Sequence, residues 1–136
     1  MSTIEMPKPD QSVLDRKAQI VEALCKVLPS DSVIFDEHET RAYECDGLTA
    51  YRCPPLVAVL PRTSQECAAA MRVCHDLNVT VVPRGAGTSL AGGALPTADC
   101  VILGTARLKD VLEVDYDNRI IRVQTGVTNL SVTELV

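Results

Sequence analysis

Apolar residues recur at helical spacing near the start of the chain. They lie four, three, four and three residues apart, at Leu14, Ala18, Val21, Cys25 and Leu28. This stripe is typical of one amphipathic helix, which we expect to begin at a Ser12 cap and to end before Pro29. Residues 1–11 contain two prolines and little apolar content, so they are expected to form a mobile leader.

A second, shorter helix is predicted to follow. Asp36, with Glu39 three residues later, forms a variant of the capping box, and the helix is expected to reach about Tyr43. The stretch 44–55 carries an Asp-Gly pair and a Pro-Pro pair. We expect it to be irregular, and we place a domain boundary near its end.

From residue 56 the pattern becomes that of an α/β unit. The apolar run 56–60 is typical of a parallel strand that is buried on both faces. Thr63 and Glu66 form a capping box at the start of a helix, which Asn78 is expected to end in the left-handed conformation. The run 79–82 gives the next strand. Together these elements predict a βαβ unit with a right-handed crossover.

Further along, the pattern predicts a mixed sheet. Residues 101–103 form a third buried strand, and residues 111–115 and 120–124 flank an Asp-Asn pair that suits a tight hairpin turn. A last helix opens near Thr128, and no Gly, Pro or basic turn closes it, which we interpret as a chain cut inside a domain. The predicted fold class is α+β, an α/β sandwich with N-terminal helices followed by a βαβ unit and a mixed sheet.

The glycine-rich run 83–96 directly follows a predicted strand and holds four of the seven glycines. Glycine permits positive φ and close approach of the backbone, so consecutive N–H groups can converge on an anion. Arg84 adds a fixed positive charge, and Thr88 and Ser89 add hydroxyl donors. The run therefore predicts a phosphate-binding loop, with a flexible connection as the alternative.

This loop differs from two well-known phosphate signatures. Leu90 stands where the dinucleotide fingerprint needs its third glycine, and Pro96 soon interrupts any helix. Gly93 and Ala94 stand where a Walker A loop needs Lys and Ser or Thr. Because the loop lacks a lysine and a metal ligand for phosphoryl transfer, we expect it to hold a nucleotide cofactor rather than to hydrolyse one.

Composition narrows the function classes. The chain has 136 residues, of which 46% are apolar, which is enough for one globular domain. Its net charge of −5 and its 3% aromatic content argue against nucleic-acid binding. No secretory signal and no apolar run of membrane-spanning length is visible, so a cytoplasmic, reducing location is expected.

The cysteines give no sign of a metal site. Six are present, and no two form a C-x-x-C pair, which argues against zinc and iron–sulfur ligation. Cys67 and Cys74 lie seven residues apart in the predicted helix, and we interpret them as small core residues on a face shared with Met71. The two histidines are isolated, and no metal ligand is assigned.

Three segments together resemble a known family. They are the run Tyr-Glu-Cys-Asp-Gly-Leu-Thr-Ala-Tyr-Arg at 43–52, the strand at 56–61 and the glycine loop. With them the chain resembles the FAD-linked subunits of bacterial glycolate oxidases, within the FAD-binding oxidoreductases of the vanillyl-alcohol oxidase and p-cresol methylhydroxylase (PCMH) type. The expected organisation is a helical segment at 12–53 and the first half of a PCMH-type FAD-binding domain at 54–136.

The resemblance implies that FAD is the cofactor and that the glycine loop wraps its pyrophosphate. The implied cofactor-binding residues are Arg84, Gly85, Ala86, Gly87, Thr88, Ser89, Gly92 and Gly93. Covalently flavinylated relatives carry a histidine in this loop where Thr88 stands here, so FAD is expected to be bound non-covalently. No catalytic residue is assigned, because the family's substrate-binding residues belong to a later part of its sequence.

The implied reaction is oxidation of a short 2-hydroxy acid, glycolate to glyoxylate, by hydride transfer to flavin. Electrons would pass to partner subunits, a second FAD-binding-type subunit and an iron–sulfur subunit, which could hold this cytoplasmic protein at the inner face of the membrane. Two alternatives stay open. One is a D-lactate dehydrogenase of the same superfamily, and the other is a non-catalytic FAD-binding remnant.

Overall fold

The computed structural model describes residues 6–135. The helices in this part of the chain are α1 (Gln11–Leu14), α2 (Lys17–Val27), α3 (Glu37–Thr40), α4 (Ser64–Asp76) and α5 (Asn129–Leu135). The strands are β1 (Val33–Ile34), β2 (Val57–Val59), β3 (Val81–Arg84), β4 (Val101–Gly104), β5 (Val111–Asp115) and β6 (Ile120–Val123). Short 3₁₀ turns at Ser30–Ser32 and Arg41–Tyr43 follow α2 and α3. These elements confirm the predicted α+β fold class.

Four strands form one mixed sheet in the order β1-β2-β4-β3. The strands β2, β4 and β3 run parallel, and β1 pairs antiparallel with β2. Because β4 lies between β2 and β3, the two strands that α4 connects are parallel but are not neighbours. The predicted βαβ unit is therefore present with a third strand inserted into it.

The hairpin is not part of this sheet. β5 and β6 form a separate two-stranded antiparallel sheet, so the prediction that the hairpin makes the main sheet mixed was wrong. The antiparallel strand is β1, whose two residues are too few to leave an alternating pattern in the sequence. The turn itself is where it was predicted, at residues 116–119, since Asp115 pairs with Ile120, and Arg119 in this turn has positive φ.

The core lies between the main sheet and two helices. Ile20 and Leu24 of α2 and Cys74 of α4 pack in one buried cluster with Val57 and Val59 of β2. Successive residues of a strand point to opposite faces of the sheet. Ala58 of β2 and its neighbour Ile102 of β4 point away from this cluster, and both are also fully buried. The central strands are therefore buried on both faces, as their continuous apolar runs predict.

The predicted N-terminal helix is two helices. Asp10 caps α1 by accepting a hydrogen bond from the Ser12 amide at 2.8 Å, so Ser12 is not the cap. The helix breaks before Lys17, where the Arg16 side chain donates to the Ser12 carbonyl at 2.9 Å and to the Leu77 carbonyl at 3.0 Å.

The break shifts the face that packs on the core, although Leu28 of the predicted stripe is buried and Leu14 and Val21 pack against the core. The fully or nearly buried residues are Val13, Ile20, Leu24 and Leu28, whereas Ala18 and Cys25 of the predicted stripe are exposed. The neighbouring stripe is favoured because it carries the larger side chains. Asp10 and Gln11, predicted as leader, belong to the cap and first turn of α1, while residues 1–5 lie outside the described residues.

The other predicted helix ends agree closely with the structure. The Thr63 side chain accepts from the Glu66 amide at 3.1 Å, and Asn78 has a φ of 52°. The Asp36 side chain accepts from the His38 amide at 2.8 Å at the start of α3. Two residues of α4 differ from the prediction, since Met71 is 46% exposed and Cys67 is only partly buried, whereas Cys74 is buried as expected.

The last helix opens where predicted. The Thr128 hydroxyl oxygen accepts a hydrogen bond from the Ser131 amide at 3.2 Å. The helix α5 is described to Leu135, and Val136 lies outside the described residues. A hydrogen bond of 3.3 Å from the Tyr116 hydroxyl to the Leu135 carbonyl links the hairpin to α5.

Candidate functional site

The glycine loop leaves the carboxyl end of the parallel part of the sheet. β3 ends at Arg84, which pairs with Gly104 at the end of β4, and the Thr105 amide donates to the Arg84 carbonyl at 2.9 Å. The chain segments that follow β2, β3 and β4 therefore emerge at one edge. In open α/β sheets this is the edge at which ligands bind.

The loop backbone presents unused donors. Within residues 6–135, none of the amides of residues 85–90 donates to a protein acceptor. Gly87 and Gly92 have φ values of 71° and 76°, in the left-handed region that residues other than glycine rarely adopt. Successive free N–H groups around a left-handed residue such as Gly87 are a type of backbone that can bind an anion.

The other two glycines of the loop, Gly85 and Gly93, are in a different situation. An added Cβ at Gly85 or Gly93 would meet nothing within 4 Å, and neither residue has positive φ. The fold itself therefore does not require glycine at these two positions. A ligand that approaches the backbone closely would require glycine at such positions.

Arg84 is engaged by the protein rather than directed to solvent. Its Nη1 donates to the Cys45 carbonyl at 2.7 Å, and its guanidinium carbon lies 5.8 Å from the centre of the Tyr43 ring. The guanidinium also occupies the space beside Gly87, where an added Cβ would overlap it. Arg84 thus ties the first turn of the loop to residues 43–45.

Residues 43–47 form a wall beside the glycine loop, and this wall was not among the predicted site residues. Gly47 lies so close to the loop that an added Cβ would be 2.7 Å from the Thr88 carbonyl oxygen and 2.9 Å from that of Ser89. The backbone of the wall and the backbone of the loop are therefore in direct contact. The Asp-Gly pair in the sequence marks a turn at this point, but it does not show which distant segment the turn contacts.

The loop hydroxyls predicted as donors are accessible. Thr88 and Ser89 are both exposed, and the Ser89 hydroxyl oxygen accepts from the Ala91 amide at 3.2 Å. The eight predicted cofactor-binding residues all lie in the segment 84–93, which begins at the last residue of β3. All eight therefore lie in one continuous segment that begins at the carboxyl edge of the sheet.

Ionisable groups elsewhere in the structure do not form a second site. Burial raises the pKa of the Cys74 and Cys100 thiols to about 11, and it also raises the pKa of Cys53 and Cys67. Among residues 6–135, no three His, Cys, Asp or Glu side chains are grouped so as to hold a metal ion. In the same residues no helix is long and apolar enough to cross a membrane.

A profile of the family described as "FAD binding domain" matches residues 55–136, more than half of the chain. This chain belongs to that family. The matched part runs from β2 through the glycine loop to α5, and FAD is the cofactor of the family. The FAD-binding family resemblance that the sequence indicated is confirmed.

Comparison with individual proteins gives the type of FAD binding domain. The chain is 43% identical over 120 residues to glycolate oxidase subunit GlcD of Escherichia coli (strain K12), covering 88% of this chain and 24% of that protein. It is 35% identical over 126 residues to a D-lactate dehydrogenase of Archaeoglobus fulgidus, covering 86% of this chain and 24% of that protein. The chain thus spans about a quarter of the length of these relatives.

The fold is that of PCMH-type FAD binding domains. A crystal structure of p-cresol methylhydroxylase with substrate bound superimposes with a TM-score of 0.79 at 18% sequence identity, covering 93% of this chain and 25% of that one. The FAD binding domain described here therefore groups with FAD-dependent oxidoreductases of the glycolate oxidase and D-lactate dehydrogenase type.

Proposed function

We propose that this chain provides the pyrophosphate-binding part of the FAD site in an oxidoreductase of short 2-hydroxy acids. The observation that carries the proposal is the row of free amides at residues 85–90, which directly follows the carboxyl end of β3 and includes the left-handed Gly87. A diphosphate needs several donors arranged in a concave surface, and this loop supplies them from the main chain.

The residues proposed to hold the cofactor fall into two groups. The backbone of Gly85, Ala86, Gly87, Thr88 and Ser89 offers N–H donors, and Gly92 and Gly93 complete the loop. Arg84 acts mainly by fixing the loop, because its guanidinium is already bound to Cys45 and stacked near Tyr43. When bound, FAD supplies the acceptor for the substrate's hydride.

We propose that FAD is held without a covalent bond from this loop. Thr88 stands at the position where covalently flavinylated relatives carry a histidine, and a hydroxyl provides no ring nitrogen for that bond. Acid precipitation of the protein should therefore release all the flavin into the supernatant, as measured by its absorbance. Flavin that stays with the precipitated polypeptide would contradict this assignment.

The proposed substrate is glycolate, and D-lactate is the alternative. The relatives that match the chain include both a glycolate oxidase subunit and a D-lactate dehydrogenase, and the first is the more similar. We also propose a second FAD-binding-type subunit and an iron–sulfur subunit as electron-transfer partners of a cytoplasmic enzyme. The Escherichia coli relative is named as a subunit of glycolate oxidase, and this supports the proposed assembly.

The experiment uses protein expressed from the full reading frame. Under anaerobic conditions, addition of glycolate should rapidly bleach the flavin absorbance, and D-lactate should bleach it more slowly. Faster bleaching by D-lactate would favour the alternative. A flavin-loaded protein that neither acid reduces would favour the non-catalytic remnant.

A matched substitution tests the loop itself. Gly85→Ala adds one methyl group where the protein has open space. If the loop binds the pyrophosphate closely, this variant should keep the stability of the flavin-free protein and lose about tenfold or more in FAD affinity, the cost of about one displaced hydrogen bond to a charged group. Unchanged FAD affinity would contradict the proposed loop contact.

A further inference from the structure

The wall beside the glycine loop contains a buried carboxylate with an unused oxygen. Asp46 is 4% exposed. Its Oδ1 accepts a hydrogen bond from the Leu48 amide at 2.9 Å and so closes a local turn. Its Oδ2 has no hydrogen-bond partner within residues 6–135. A buried acceptor without a donor is costly, because it has lost water and gained nothing in exchange.

The residues on either side of Asp46 in the sequence, Cys45 and Gly47, both contact the segment 84–93. The Cys45 carbonyl accepts from Arg84 at 2.7 Å, and the Gly47 backbone lies against the carbonyls of Thr88 and Ser89. Asp46 is therefore placed between two residues that touch the loop. In the described part of the chain it forms no ion pair with a lysine or arginine.

The glycine loop has hydrogen-bond donors without protein acceptors. The amides of residues 85–90 lack protein acceptors within residues 6–135, and the Thr88 side chain is exposed. A carboxylate oxygen without a donor thus lies in the wall that contacts a loop with donors to spare. Native proteins rarely leave a buried polar atom such as Asp46 Oδ2 unpaired, and the exposed loop amides are donors that a ligand-bound arrangement could direct to it.

Resting on the proposed function, we propose that Asp46 is a positioning residue of the FAD loop. Its Oδ2 accepts a hydrogen bond from the glycine loop in the FAD-bound protein, so that the wall and the loop close together on the cofactor. A contact that forms only in the bound state increases affinity by its own free energy. The guanidinium of Arg84 is bound to the carbonyl of Cys45, the residue before Asp46. Its positive charge offsets the negative charge that Asp46 would bring near a diphosphate.

The test is Asp46→Asn, which keeps an oxygen for the Leu48 amide and replaces the unused oxygen with an NH₂ group. Asp36→Asn is the matched control, because Asp36 also accepts with Oδ1 from the amide two residues on, at 2.8 Å, but is exposed and lies at the start of α3. Both variants are made in protein expressed from the full reading frame. FAD affinity is measured by flavin fluorescence, and the melting temperature is measured with and without FAD.

We expect Asp46→Asn to weaken FAD binding by about tenfold or more, with no fall in the melting temperature of the flavin-free protein, and Asp36→Asn to leave FAD affinity unchanged. A purely structural role would instead lower the melting temperature of the flavin-free protein, and that result would overturn the inference. Equal or tighter FAD binding by Asp46→Asn would overturn it as well. If the unaltered protein binds no FAD, it is the proposed function that fails.

Discussion

Within the glycine loop, Gly87 is the position where the structure most clearly requires glycine. It has a φ of 71°, and an added Cβ would overlap the guanidinium of Arg84. Gly87→Ala therefore introduces backbone strain and at the same time displaces the side chain that ties the loop to Cys45 and Tyr43. Gly85→Ala is the natural comparison, because the same methyl group meets nothing there.

The expected cost can be built from its parts. A residue other than glycine in the left-handed region costs roughly 1–2 kcal/mol. Loss of the Arg84 hydrogen bond to the Cys45 carbonyl would add about 1.5–3 kcal/mol, since the donor is charged. Because the arginine side chain can rotate and recover part of this, we expect a net destabilisation of about 2–4 kcal/mol.

The assay is urea unfolding of flavin-free protein, followed by FAD titration. Gly87→Ala should unfold at clearly lower urea than the unaltered protein and should also bind FAD more weakly. Gly85→Ala should match the unaltered protein in unfolding and differ only in FAD affinity. If Gly87→Ala and Gly85→Ala unfold at the same urea concentration, the arrangement of Arg84 beside Gly87 is refuted.

Two further predictions follow from the ionisable groups. Because burial raises the pKa of Cys74 and Cys100 to about 11, iodoacetamide at about pH 8 should modify the exposed Cys25 and spare these two, as read by peptide mass spectrometry; earlier modification of either would contradict their burial. The Asp10 amide donates to Asp99 at 2.8 Å and lowers its pKa, so this contribution to stability is present above the ordinary pKa and is lost as pH falls through the lowered one. Asp99→Asn should therefore flatten the dependence of the urea midpoint on pH below about 4; an unchanged slope would contradict the contact.

Much of the fold was predictable because its signals are local. The caps at Asp36 and Thr63 and the left-handed stop at Asn78 each depend on one short-range hydrogen bond or one backbone conformation. The insertion of β4 between β2 and β3 was not predictable, since it depends on which strands pair across long sequence separations. Periodicity likewise could not choose between two neighbouring stripes on α2, because tertiary packing selects the one that faces the sheet.

The position of the candidate loop in the fold was predictable, but its contacts within the protein were not. The glycine spacing and the preceding strand located the loop, because glycine content and strand order are written in the sequence. The contacts of Arg84 could not be predicted, since a charged side chain beside a phosphate loop can bind either the ligand or the protein. The contact between Gly47 and the loop joins residues about 40 positions apart, and no local pattern reports such a contact.

The central claim is that the main-chain amides of the glycine loop bind the FAD pyrophosphate. A crystal structure of the FAD-bound protein, expressed from the full reading frame, tests this most directly through the distances from the amide nitrogens of residues 85–89 to the phosphate oxygens. The account predicts several of these distances at about 2.7–3.2 Å. A pyrophosphate bound elsewhere, with the loop amides facing solvent, would contradict it.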